Sequence, residues 1–131
     1  MDKNKKIFFF IIGILILGTL MTILLNKTGT VTPKDDGKYD AFAQCLKDKG
    51  AVFYGTFWCP HCQNQKKAFG SSAKMLPYVE CSTPDAQNQT QICKDAEISV
   101  YPTWKFQDGS KLEGEIALPV LAEKTSCELP Q

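Results

Sequence analysis

An α/β fold, with a sheet covered by helices and set behind one membrane-spanning helix, is what this sequence predicts. Three observations predict it. From Tyr39 onward, short β-prone apolar runs alternate with runs of helix formers. Asp108-Gly109 separates two strand-like runs and is a strong hairpin signal. A single uncharged apolar stretch, Ile7–Leu25, precedes them all. With 131 residues in total, the remainder has room for one domain and not two.

The first element is the apolar stretch. Its 19 uncharged residues span roughly 28 Å as a helix, close to the hydrocarbon thickness of a bilayer. A cleavable signal peptide has a shorter apolar core and a small-residue cleavage site, and no such site follows here. The expectation is an uncleaved signal anchor at residues 7–25 behind a cytoplasmic N-terminus at residues 1–6. Lys3, Lys5 and Lys6 precede the stretch, while Lys27, Lys34 and Lys38 follow it, so lysine asymmetry barely orients it. Cysteine usage orients it better. Six cysteines between Cys45 and Cys127 suit an oxidising compartment, so the C-terminal domain is expected outside the cytoplasmic membrane. Residues 26–38 have turn formers and one apolar side chain, and read as a linker to a domain at residues 39–131.

Within that domain, Asp40 is suited to cap a helix through Lys49, with Phe42, Ala43 and Leu46 on one face and Gly50 as the stop. Ala51–Phe57 reads as a buried strand, and a helix is expected from Cys59 to about Met75. Pro77–Cys81 is a second strand, and Pro84–Ala96 a polar helix. Thr103–Gln107 and Lys111–Glu115 form the hairpin, and Leu118–Thr125 is the closing helix.

The chemistry lies at Cys59-Pro60-His61-Cys62, between the first strand and the helix that follows. Zinc ribbons also use C-x-x-C, but the chain has only one such pair, so a four-thiolate site would need irregular ligands. No metal is expected, and no cofactor. A helix N-terminus presents free N–H groups and the positive end of the dipole, which favours a thiolate there. Pro60 fits the first turn, where its missing N–H costs nothing. His61, the only histidine, sits between the sulfurs and can further stabilise the Cys59 thiolate. Cys59 is the expected attacking sulfur and Cys62 the more buried resolving one. Stabilising the reduced form this way makes the disulfide an oxidant.

Phe57-Trp58-Cys59-Pro60-His61-Cys62, Tyr101-Pro102-Thr103 and the Asp108-Gly109 hairpin together resemble the thioredoxin fold, a central mixed sheet flanked by helices. The wider string is more specific. Tyr54-Gly55-Thr56 before the motif, with Gln65-Lys66, Phe69-Gly70, Tyr78-Val79-Glu80-Cys81 and Trp104 after it, resembles the thioredoxin-like domain linked to bacterial and plant vitamin K epoxide reductase homologues. The resemblance implies a domain that passes disulfides between secreted substrates and a quinone-linked membrane enzyme, vitamin K epoxide reductase-like or DsbB-like. If that pairing holds, the enzyme is expected to be a separate chain. It also implies a cis Pro102 against the active site, with Tyr101 and Trp58 contacting substrate, and a Cys81–Cys93 disulfide. Cys45 and Cys127 are then left over, and a staple between them follows by elimination, although six cysteines allow fifteen full pairings. Many thioredoxins carry a buried carboxylate six residues before the first active-site cysteine. Phe53 stands there instead, with Glu80 as a speculative substitute. That departure suits an oxidant better than a reductase.

Two rival functions remain open in the sequence. One reverses the electrons, as a reductase or isomerase. The other is a Cu(I) chaperone with Cys59, Cys62 and His61 as soft ligands. The cationic side chains are all lysine, and residues 38–131 hold ten of them against eleven Asp and Glu, which gives no nucleic-acid footprint. Asn26 and Asn88 lie in glycosylation-type triplets that are common by chance.

Overall fold

The computed structural model describes residues 2–25 and 37–131. The expected linker lies almost wholly outside these residues, as does Asn26. The chain divides into two units, residues 1–34 and 35–131. In the first, α1 runs over Lys3–Leu25. Its first turn carries Lys3, Lys5 and Lys6, and its side chains are described only as far as Thr19. No helix among the described residues is long and apolar enough to cross a membrane, so the span expected at residues 7–25 is not found.

The second unit is built on a four-stranded mixed sheet in the order β2-β1-β3-β4, from β1 (Val52–Gly55), β2 (Tyr78–Glu80), β3 (Thr103–Lys105) and β4 (Lys111–Glu113). β1 pairs parallel with β2 and antiparallel with β3, and β3–β4 is the expected hairpin. In its turn Gly109 takes a φ of +80°, which glycine adopts without strain, and Asp108 Oδ1 accepts the Ser110 backbone N–H at 2.9 Å.

Helices flank the sheet: α2 (Asp40–Asp48), α3 (Pro60–Ala68), the short α4 (Gln91–Asp95) and α5 (Leu118–Thr125). Tyr39, not Asp40, is the N-cap of α2, and it makes no side-chain cap. The apolar face is the expected one, with Phe42, Ala43 and Leu46 buried. The helix expected to run to Met75 breaks at Gly70, whose φ of +56° ends α3 and starts a 3-10 segment over Gly70–Met75. The helix expected over Pro84–Ala96 shrinks to α4. Local hydrogen bonds outcompete it: Thr83 Oγ1 caps Asn88 N at 3.0 Å, Asp85 Oδ1 accepts Gln87 N at 3.1 Å, and Ser82 bridges Gln89.

The core between sheet and helices is aromatic. Phe53 stacks on Trp104 with ring centroids 5.0 Å apart, and Phe42 stacks on Phe69 at 5.8 Å. Phe53 also tilts against Tyr78 at 5.3 Å. Two disulfides staple this unit, Cys45–Cys127 and Cys81–Cys93. The first joins α2 to the chain just beyond α5. The second joins the end of β2 to α4.

Candidate active site

β1 delivers the chain to the site. It ends at Gly55, and Thr56–Trp58 turn it into α3. Cys59 is the N-cap of α3 in extended backbone (φ −77°, ψ 119°), and Pro60 follows in the first turn. Cys59 Sγ accepts the backbone N–H of Cys62 at 3.4 Å, as a capping side chain does. The Cys59 thiol in turn donates to the Tyr101 carbonyl at 3.7 Å. Both active-site cysteines are free thiols. Cys59 is 5% exposed, whereas Cys62 is fully buried.

Burial sets the two sulfurs apart. Desolvation, aided by the hydrogen bond with Cys59, pushes the Cys62 thiol up to about 12. Cys62 is therefore a thiol at neutral pH, and only Cys59 stands where helix N–H groups meet the surface. Gly55 makes this burial possible. A Cβ there would lie 2.9 Å from Cys62 Sγ and 3.1 Å from the Tyr78 ring.

Opposite the pair, the Tyr101–Pro102 bond is cis and Pro102 is buried. Trp58 is half exposed, with its indole edge-on to Tyr101 at 6.3 Å and its Nε1 donating to Ser82 Oγ at 3.0 Å. Thr56, Trp58 and Tyr101 line one side of a groove of about 180 Å³, and the loop around Gln87–Gln89 lines the other. His61 is exposed, and its Nδ1 meets Glu115 in the β4–α5 connection.

The structure puts Phe53 in the core and Glu80 at the centre of a hydrogen-bonded loop. Phe53 is core, pressed between Trp104 and Tyr78. The Glu80 carboxylate accepts from Phe57 N at 3.2 Å, Ser82 N at 2.9 Å and the Tyr78 hydroxyl at 2.7 Å. These bonds fix the loop that presents Trp58 and Cys59. Desolvation, and then the Glu80 hydrogen bond, pushes the Tyr78 phenol well above its usual range. Among the described residues no group of three or more His, Cys, Asp or Glu side chains could hold a metal ion.

Sequence reasoning missed Glu115 altogether. It is 54 positions from His61, and nothing in its local sequence marks it. Tyr78 and Glu80 were legible only as part of a family string.

A free C-x-x-C thiol pair at a helix N-cap, facing a cis-proline turn on a mixed sheet, fits one family. The sequence profile of the thioredoxin family matches residues 31–124. The chain belongs to the thioredoxin family. Thiol-disulfide oxidoreductase LTO1 of Arabidopsis thaliana is 46% identical over 95 residues, which cover 70% of this chain and 25% of that protein. Thioredoxin domain-containing protein 5 homolog of Drosophila melanogaster is 39% identical over 61 residues, 43% of this chain and 14% of that one. The chain thus spans a quarter or less of the length of these relatives. Family membership and the free pair together support thiol–disulfide exchange as the chemistry of the site.

Proposed function

We propose that this chain is a membrane-anchored thiol:disulfide oxidoreductase that works outside the cytoplasmic membrane as an oxidant of cysteines in exported proteins. The observation that carries the oxidising direction is the Cys59 cap. In the reduced protein Cys59 Sγ accepts the Cys62 N–H at the start of α3, and a helix N-terminus is a place that favours an anion. What stabilises the reduced form strengthens the disulfide as an oxidant. The thioredoxin-type carboxylate position is filled by Phe53, which also suits an oxidant.

A substrate thiolate attacks Cys59 of the Cys59–Cys62 disulfide, and Cys62 leaves with the electron pair. A second substrate thiolate then attacks the substrate sulfur of the mixed disulfide, releasing the oxidised product and Cys59. Burial of Cys62 suits this order, because incoming thiols reach Cys59 alone. Trp58, Tyr101 and Pro102 would line the substrate chain, and the adjoining groove would take its flanking side chains.

Support for the anchor is the 19-residue uncharged run, which falls inside α1 with Phe8, Phe9, Phe10 and Leu17 all more than 60% exposed. Such a surface is stable in lipid and costly in water. The two further disulfides suit an oxidising compartment. A quinone-linked membrane enzyme, vitamin K epoxide reductase-like or DsbB-like, would re-oxidise the pair. The Arabidopsis relative is named as a thiol-disulfide oxidoreductase, in agreement with this chemistry.

The test uses the full chain in its oxidised form, mixed with a reduced protein that carries two cysteines. One substrate disulfide should form per chain as Cys59 and Cys62 become reduced, and Cys62→Ser, which has no disulfide to exchange, should form none. Transfer of electrons only from the reduced chain to a disulfide substrate would overturn the oxidant reading.

A further inference from the structure

Glu115 holds the one histidine of the active-site motif. Its Oε1 lies 2.5 Å from His61 Nδ1 and 3.1 Å from Asn64 Nδ2, so two side chains one turn apart on α3 converge on a single carboxylate oxygen. The His61 hydrogen bond, helped by Asn64, holds the Glu115 carboxyl below the usual carboxylate range. Near neutral pH the group is ionised and can only accept. An acceptor opposite Nδ1 requires the hydrogen on Nδ1, which leaves Nε2 as the second ring nitrogen.

The bland alternative is that Glu115 only ties the β4–α5 connection to α3. That tie exists without it. Buried Gln65 on α3 donates from Nε2 to the Ile116 carbonyl at 3.0 Å, and its Oε1 accepts the Ile116 N–H at 2.7 Å. Glu115 acts instead on an exposed side chain two residues from the attacking sulfur.

We propose that Glu115 is a positioning residue for thiol–disulfide exchange, fixing His61 through its Nδ1 hydrogen so that Nε2 serves the reacting sulfur. The proposal rests on the exchange chemistry proposed above. In the oxidising direction, Nε2 takes the proton of the incoming substrate thiol. The thiolate attacks Cys59 Sγ, the Cys59–Cys62 bond breaks as the mixed disulfide forms, and the electron pair goes to Cys62. Cys62 then takes up a proton, as its buried setting favours, and the proton on Nε2 returns to solvent. One S–S bond is exchanged for another and one S–H for another. The only oxidant is the disulfide itself.

Two readouts on the full chain test this. Nitrogen-15 NMR of the His61 ring at pH 8 should show the Nδ1–H form in the wild type and a redistribution toward Nε2–H in Glu115→Ala. A wild-type ring dominated by Nε2–H would overturn the proposal. Glu115→Ala should slow reaction of the oxidised chain with glutathione by about two- to fivefold, the scale of an exposed ion pair, and should have no further effect in a His61→Ala background. An equal slowing in that background overturns action through His61. A wild type that shows the Glu115-dependent tautomer but exchanges no thiols supports the positioning and overturns the exchange reading alone.

Discussion

Cys59–Cys62, after β1, and Cys81–Cys93, after β2, are two cysteine pairs of one domain, and they have opposite fates. Cys81 and Cys93 are both fully buried, in a small apolar cluster with Tyr54 and Ile98, and are joined as a disulfide. Cys59 also sits in the core, yet it caps a helix, accepts a backbone N–H and keeps a sliver of surface. The residue type is the same in both places. Access, and N–H groups aimed at sulfur, separate a reactive pair from an inert one.

The largest expected contrast comes from deleting one sulfur of the reactive pair. Cys59→Ser should abolish oxidation of a dithiol substrate, whereas the Cys81→Ala/Cys93→Ala variant should keep it. Full activity in Cys59→Ser would end the comparison. Stability should show the reverse pattern. Loss of the Cys45–Cys127 staple, which spans 82 positions, should cost about 4.5 kcal/mol on the loop-entropy scale. Loss of Cys81–Cys93, which spans 12 positions, should cost about 3 kcal/mol on the same scale. Denaturant unfolding of the two double variants checks the order.

A smaller effect is expected from the close approach beneath the active pair. Gly55→Ala puts a methyl 2.9 Å from Cys62 Sγ, and overpacking of this kind costs about 1–3 kcal/mol. Because the contact is to an active-site sulfur, the midpoint of thiol–disulfide equilibration should move with stability. A stability loss with an unchanged midpoint would mean that the strain bypasses the pair.

A last contrast is set by pH. Cys62 is raised from 9.0 to about 12 in the folded protein, so the folded state favours the protonated thiol. That contribution is complete below the unfolded value and is lost as pH rises through the folded one. The reduced chain should therefore lose stability relative to the oxidised chain between pH 9 and about 12, where only the reduced chain has a Cys62 proton to lose. Parallel pH curves for the two forms would contradict the buried-thiol assignment.

Much of this contrast was legible in the sequence. The strand before Cys59, Pro60 in the first helical turn and the Asp108-Gly109 hairpin follow from residue type and order, and each has a local physical cause. The sheet and its flanking helices follow from the alternation of those runs. Elsewhere the sequence misled. Pro84–Ala96 has helical composition but folds mostly as a loop, because Thr83 and Asp85 cap the backbone within the segment. Gly70 looked like an ordinary helix residue until its positive φ ended α3. Glu115 and the Gln65–Ile116 clasp were invisible because they join positions more than 50 residues apart, and no local pattern encodes such contacts.

The reduction potential of the Cys59–Cys62 pair in the full chain, equilibrated against glutathione, decides whether the pair is an oxidant. An oxidising value toward about −120 mV is expected, the range of a strong disulfide donor whose reduced form is stabilised. A value near about −270 mV, that of a thiol reductant, would contradict it.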